Sequence, residues 1–167
     1  HIIDLFSKFS LLVETDGSAA GTVKGLQRWR SMMGKLPASI LSDNGPEFSN
    51  STVVNWLTMN NCLPLRSAPY HPQSNGICER HNAIAKAILR KLTDVVMTKT
   101  LEVQCYLDEA MACKNTVTRV RNYPAQFLQF GNSVEWSMLP DDVFGTHDSP
   151  DEAVQIFIDE RRKLRQT

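Results

Sequence analysis

The spacing of apolar and polar positions changes along the chain, and each change marks an element. Ile2 to Phe6 and Phe9 to Val13 read as two strands joined around Ser7-Lys8, and Thr15-Asp16-Gly17 turns the chain out of the second. Asp16 before Gly17 is expected to be a turn or capping residue. Ala20, Val23, Leu26, Trp29 or Arg30, and Met33 recur near helical spacing, which predicts a helix capped by Ser18 and ended by Gly34 and Pro37. Ala38 to Leu41 is a short apolar run suited to a buried strand, with Asp43 just beyond its C-terminal end. Asn44-Gly45-Pro46 breaks the backbone there. Val53, Val54, Trp56 and Leu57 predict a short helix capped by Asn50 or Ser51, and Cys62 to Ser67 a further strand. A polar loop, Pro69 to Gly76, leads into a long helix running to about Met97.

That helix has two faces. Ile77, Ala85, Ile88, Leu92 and Val95 or Val96 form an apolar stripe, whereas Glu79, Asn82, Lys86 and Arg90 recur three or four apart on another side. Leu101 to about Thr118 predicts one more amphipathic helix, with Val103, Leu107, Ala110, Met111 and Lys114 on one side. Pro124 and Gly131 are suited to the start and end of a following helix. Beyond Asn132 an acidic loop with Trp136, Pro140 and Pro150 leads to an expected helix from Asp151 to about Leu164, acidic at its start and basic at its end.

Composition narrows the class. A chain of 167 residues with 42% hydrophobic and 22% charged residues supports one good core and has the balance of a soluble domain. No apolar run has the length of a membrane helix, so no membrane association is expected. Eighteen basic residues match eighteen acidic ones, which argues against strong sequence-independent nucleic-acid binding. The charge is uneven, however: Arg66, Arg80, Lys86, Arg90 and Lys91 surround a single acid, Glu79. A local basic surface of this kind suits phosphate contacts, and ordinary solvated helix charge would give the same pattern. Cys62, Cys78, Cys105 and Cys113 have neither disulfide-framework nor zinc-finger spacing and read as small hydrophobes. His71, Cys78 and His81 lack a fourth soft ligand, so zinc is not expected.

The candidate chemistry lies in two carboxylates. Asp43 at a strand end and Glu79 in the first turns of a helix could converge on a hard divalent cation, which prefers oxygen ligands. Each has an ordinary alternative: Asp43 could stabilise the Asn-Gly turn, and Glu79 could be favourable charge at a helix start. In the loop between them Tyr70, His71, Gln73, Ser74 and Asn75 offer aromatic and hydrogen-bonding groups to a DNA end, or form only a linker.

Ser42-Asp43-Asn44-Gly45-Pro46-Glu47-Phe48, together with Pro69-Tyr70-His71-Pro72-Gln73-Ser74-Asn75-Gly76 and Glu79-Arg80-His81-Asn82, resembles the catalytic core of retroviral and retrotransposon integrases, the Ty3/gypsy-like branch most closely. Thirty-five residues separate Asp43 from Glu79, the spacing of the last two acids of that family's Asp-Asp-Glu triad. Ala112-Cys113-Lys114-Asn115-Thr116 and Tyr123 to Gly131 extend the resemblance over residues 1–131. It implies an α/β, RNase H-like fold with a mixed central sheet flanked by helices. It also implies a site for two magnesium or manganese ions, with Asp43 and Glu79 as catalytic metal ligands. The function implied is DNA integration, by 3′-end processing and strand transfer.

By the same resemblance, the candidate DNA contacts are Lys86, Arg90, Tyr70, Gln73, Asn75 and Asn82. Lys86 fits one of the family's DNA-contacting lysine positions, and Ala83 occupies the other. DNA is the expected partner, a homo-oligomer the expected assembly and the nucleus the expected location of the intact parent. His1 to Phe9 resembles the family's second strand, which makes Asp4 non-catalytic and places the first triad Asp upstream of His1; Asp4 as an unusual ligand is the alternative. The fragment alone is then expected to be inactive, with residues 132–167 a linker toward a C-terminal module. A related transposase or nuclease, and a non-catalytic DNA-binding or interaction domain, are the competing functions.

Overall fold

The computed structural model describes residues 1–67, 76–96, 102–120 and 122–131, with the side chains of 94–96 excepted. Two compact units result. Of the described residues, one comprises 1–12 and those from Asn82 onward, the other those within 13–81.

In the first unit β1 (Ile2–Ile3) pairs antiparallel with β2 (Ser10–Leu11), Ile2 opposite Leu11 and Ile3 opposite Ser10. Both strands are shorter than the apolar pattern suggested, because residues 4–9 form a tight turn. The Asp4 carboxylate gathers the Phe6 and Ser7 amides and the Ser7 hydroxyl at 3.0, 2.6 and 2.8 Å. Lys8 adopts φ 61°, a conformation that strands exclude.

Helices α4 (Gly76–Val96) and α5 (Val103–Val117) supply the core of this unit, where Ala85, Ile88 and Leu92 meet Ala110, Cys113 and Leu12. Val103 and Ile77, both assigned to apolar stripes, are instead 56% and 40% exposed. Each sits in a helix's first two residues, where fewer neighbours surround it. Asn115 fastens α5 to β2: its Oδ1 accepts from the Ser10 amide and its Nδ2 donates to the Ser10 carbonyl, both at 2.8 Å. One side chain thereby satisfies both backbone groups of a buried strand residue, as a neighbouring strand would. A short antiparallel pair, β5 (Arg119–Val120) and β6 (Tyr123–Pro124), leads into α6 (Ala125–Phe130), which ends at Gly131 with φ 70°. The Phe130 ring stands edge-on to Phe9 at 5.1 Å, and the Gln129 side-chain amide lies 2.8 Å from Ser7 Oγ.

In the second unit α1 (Ala19–Met33) begins as predicted, with Ser18 Oγ accepting from the Gly21 amide, and ends at Gly34 with φ 74°. Leu26 and Trp29 are its buried residues apart from Gly25, and α1 packs against α3 (Ser51–Met59), which buries Val53 and Leu57. Asn50 caps α3 by accepting from the Thr52 amide, and Arg30 Nη1 donates to Asn60 Oδ1 at its far end. A helical turn absent from the sequence prediction, α2 (Pro46–Ser49), precedes α3. β3 (Ser39–Ser42) runs parallel to β4 (Leu63–Arg66), with Leu41 opposite Leu65.

The expectation that Ala38 to Leu41 is a buried strand does not hold. Ile40 and Ser42 are half-buried, whereas Ser39 and Leu41 are exposed, as are Leu63 and Leu65 on the same face. Parallel strands are usually covered on both faces. Among the described residues β3 hydrogen-bonds only to β4, and the face of the pair that carries Leu41, Leu63 and Leu65 is exposed. Pairing within each unit differs, antiparallel for β1–β2 in the first and parallel for β3–β4 in the second, with helices packed on the strands. No helix among the described residues is long and apolar enough to cross a membrane.

Candidate functional site

Asp43 follows the last residue of β3. The parallel ladder runs one step further there, with the Ser67 amide donating to the Ser42 carbonyl at 2.9 Å. Asn44 ties the turn to the same place by donating from Nδ2 to the Ser67 carbonyl at 3.3 Å. Asp43 Oδ1 accepts from the Gly45 amide at 3.2 Å, the local turn contact that its position before Asn-Gly predicts. Its other oxygen makes no hydrogen bond among the described residues, and the side chain is exposed. Both readings of Asp43 are therefore compatible with one geometry: one oxygen shapes the turn and the other faces outward.

Pro46 opens α2 beyond this turn, and the Glu47 carboxylate folds back over Gly45. A Cβ added at Gly45 would lie 2.8 Å from Glu47 Oε2. Only the bare glycine lets that carboxylate sit so close to the backbone without shifting. Glu47 was not among the residues assigned to the site, and its approach is visible only in the fold.

Glu79 lies in the first turn of α4, exposed, in the same unit as Asp43. Lys86 and Arg90 are exposed further along the helix, and Asn82 is half-buried. His81, which the sequence pattern did not place in the stripe, is buried, at 6% exposure. Its position four residues before Ala85 was the available signal. Tyr70, Gln73 and Asn75, with His71 and Ser74, lie outside the described residues, as does the expected helix from Asp151 to Leu164.

Asp4 is occupied by the turn it organises, with three donors on Oδ2. Asp16 does similar work, accepting from the Ser18 amide and hydroxyl at 2.9 and 2.6 Å. The Ser18 hydroxyl, and after it the Ser18 amide, hold the Asp16 carboxyl below its ordinary value. Cys62 and Cys113 are buried, Cys78 is half-buried and Cys105 exposed, all as free thiols. Burial, with Glu109 nearby, pushes the Cys113 thiol up to about 12, and burial also raises that of Cys62.

The donor chemistry of Asp43 and Glu79, two exposed carboxylates, fits a hard divalent cation. Among the described residues, no group of three or more His, Cys, Asp or Glu side chains is gathered closely enough to hold a metal ion.

No protein-family model matches the chain. Curated relatives do. The Pro-Pol polyprotein of simian foamy virus type 1 is 36% identical over 92 residues, which is 54% of this chain and 8% of the polyprotein. That of feline foamy virus is 32% identical over 92 residues, and the Pol polyprotein of equine infectious anemia virus (strain Wyoming) 38% over 71. The chain thus spans under a tenth of the length of these relatives. Among solved structures, the simian T-cell lymphotropic virus intasome matches with a TM-score of 0.68 at 22% identity, over 79% of this chain and 48% of that one. The HTLV-2 integrase catalytic core domain in complex with magnesium, in its trimeric form, matches with a TM-score of 0.62 at 21% identity, over 76% and 80% of the two chains. The fold is therefore the RNase H-like α/β fold of these integrase cores.

Proposed function

We propose that this chain, a homologue of retroviral Pol polyproteins with the fold of an integrase catalytic core, is the part of a DNA-integrating enzyme that holds the scissile phosphodiester. The observation that carries the reading is the placement of Asp43 and Glu79. One ends a strand of a parallel pair, the other opens a long helix, and both are exposed in one unit. They lie at the spacing of the resembled family.

In this reading Asp43 and Glu79 are the two ligands this chain offers to magnesium or manganese. When bound, such ions activate the attacking oxygen and stabilise the leaving one in an in-line phosphoryl transfer. Two carboxylates leave most of an octahedral shell to water, so a third carboxylate, on a strand preceding β1, completes the site. Lys86 and Arg90 contact DNA phosphates from the exposed side of α4, Asn82 adds a neutral contact, and Tyr70, Gln73 and Asn75 approach the DNA end. The intact protein works on DNA in the nucleus as a homo-oligomer, and residues 132–167 connect the core to a further module.

The first test needs no catalysis. Manganese added to the isotopically labelled chain broadens the NMR signals of residues around Asp43 and Glu79, and Asp43→Asn or Glu79→Gln removes the effect. In the intact parent protein each substitution lowers metal-dependent DNA cleavage and joining by more than about 100-fold, beyond what removal of a residue that only supports a metal ligand typically costs. Broadening that ignores both residues, or unchanged rates in either variant, refutes the assignment. A non-catalytic DNA-binding or interaction domain is then the reading that remains.

A further inference from the structure

A chain of hydrogen bonds runs from the interior of the first unit to the face of α4. Lys114 Nζ lies 2.5 Å from Ser10 Oγ and 3.3 Å from the Lys8 carbonyl. Ser10 Oγ lies 2.9 Å from His1 Nε2, and His1 Nδ1 lies 2.5 Å from Asn82 Oδ1. Lys114 and Ser10 have no accessible surface, whereas His1 is exposed and Asn82 half-buried. Asn82 stands one helical turn beyond Glu79. We propose that Lys114, Ser10 and His1 are positioning residues for Asn82, turning its amide so that the NH2 group is offered to a DNA phosphate. The DNA-facing half of this proposal rests on the function proposed above; the orientation itself does not.

The argument is one of donor and acceptor accounting. A lysine ammonium only donates, so Ser10 Oγ must accept from Lys114. The single hydroxyl proton then goes to the better-placed acceptor, His1 Nε2 at 2.9 Å, since the Lys8 carbonyl is 3.5 Å away. With Nε2 accepting, a neutral His1 ring carries its proton on Nδ1. That proton is donated to Asn82 Oδ1, and the Asn82 NH2 is left pointing away from His1 with no partner among the described residues. Phosphate oxygens are acceptors, so this orientation matches them and the reverse one would oppose them.

The chain is held in place at its inner end, because Asn115 fixes both backbone groups of Ser10. Without a donor-only group at position 114, Ser10 could accept from His1 instead. The ring would then take its other tautomer, and Asn82 would present its carbonyl oxygen to the DNA.

The experiment uses nitrogen-15 NMR of the His1 ring in the full chain, with the tautomers read at a pH where the spectrum itself shows a neutral ring. The expected wild-type signature is a protonated Nδ1 with an unprotonated, hydrogen-bonded Nε2. Lys114→Arg keeps that signature and Lys114→Met shifts it toward protonated Nε2. If Lys114→Met does not fold, Ser10→Ala reports the same loss of polarity by releasing the ring to a mixture of tautomers. Binding of a fluorescent blunt-ended duplex is measured alongside, at a temperature where every variant is folded, and His1→Ala weakens it by about tenfold, as expected for one oriented hydrogen bond. Protonated Nε2 in the wild type overturns the orientation. A wild-type chain with the expected tautomer that does not bind the duplex instead overturns the DNA-facing role of α4. A His1→Ala chain that binds as the wild type does overturns the positioning.

Discussion

Replacing Lys114 by Met makes the stability of the protein respond differently to pH, and the structure sets the size of the response. The ammonium is fully buried, contacts a hydroxyl and a carbonyl, and meets no carboxylate among the described residues. Burial alone lowers its pKa from 10.5 to about 8. That shift corresponds to a charging penalty of about 3 kcal/mol in the folded state. Below pH 8 both folded and unfolded chains hold the proton and the penalty applies in full. Between pH 8 and 10.5 only the unfolded chain binds it, so stability rises with pH through that window. Cys113 acts in the opposite sense above its ordinary value of 9.0, because its folded pKa is about 12, but it is present in both proteins.

Met is close to lysine in shape and leaves the Ser10 hydroxyl and Lys8 carbonyl short of one donor, a cost of about 1–3 kcal/mol each that does not vary with pH. Replacing buried charge by an apolar side chain is often near neutral for this reason. Urea unfolding of both proteins at several pH values between 7.5 and 10.5 measures the effect. The wild type gains about 3 kcal/mol relative to Lys114→Met across that range, or about 1.5 M in midpoint for a slope of about 2 kcal/mol/M. Parallel profiles would refute the reasoning and mean that Lys114 is solvated or ion-paired in solution.

Two further outcomes follow from named residues. Lys86→Gln or Arg90→Gln weakens duplex binding and reduces the slope of log affinity against log salt by about 0.9 for each phosphate no longer neutralised, and an unchanged slope in both returns them to the solvated surface. Ser18→Ala costs about 1 kcal/mol in urea unfolding because the Gly21 amide is left without its cap, and it raises the carboxyl pKa of Asp16, followed by carbon-13 NMR.

Much of the fold was legible because the relevant forces are local. Ser18 and Gly34 bound α1 through a side-chain cap and a left-handed residue, features written in single residue types. The stripe Ala85, Ile88 and Leu92 follows from helical period and the removal of apolar surface from water. The two motif blocks and their spacing were likewise in the sequence, and with them the resemblance that the curated relatives and solved structures support. Asp43, Glu79, Lys86 and Arg90 could be named from pattern, and all four are exposed.

What depended on distant neighbours could not be read in this way. The run Ala38 to Leu41 has the composition of a buried strand, but burial depends on what covers a face, and the face with Leu41, Leu63 and Leu65 is open among the described residues. The strand pattern over Ile2 to Val13 is interrupted because Asp4 collects three donors from the following turn, a local contact strong enough to end pairing. Lys114 sits on the apolar side of α5 in the sequence, yet its lack of accessible surface and its bond to Ser10, 104 positions away, exist only once α5 packs on β2. The orientation of Asn82 is likewise a tertiary property. Which way an amide points is decided by the protons of its partners, and here those partners are brought together from both ends of the described chain.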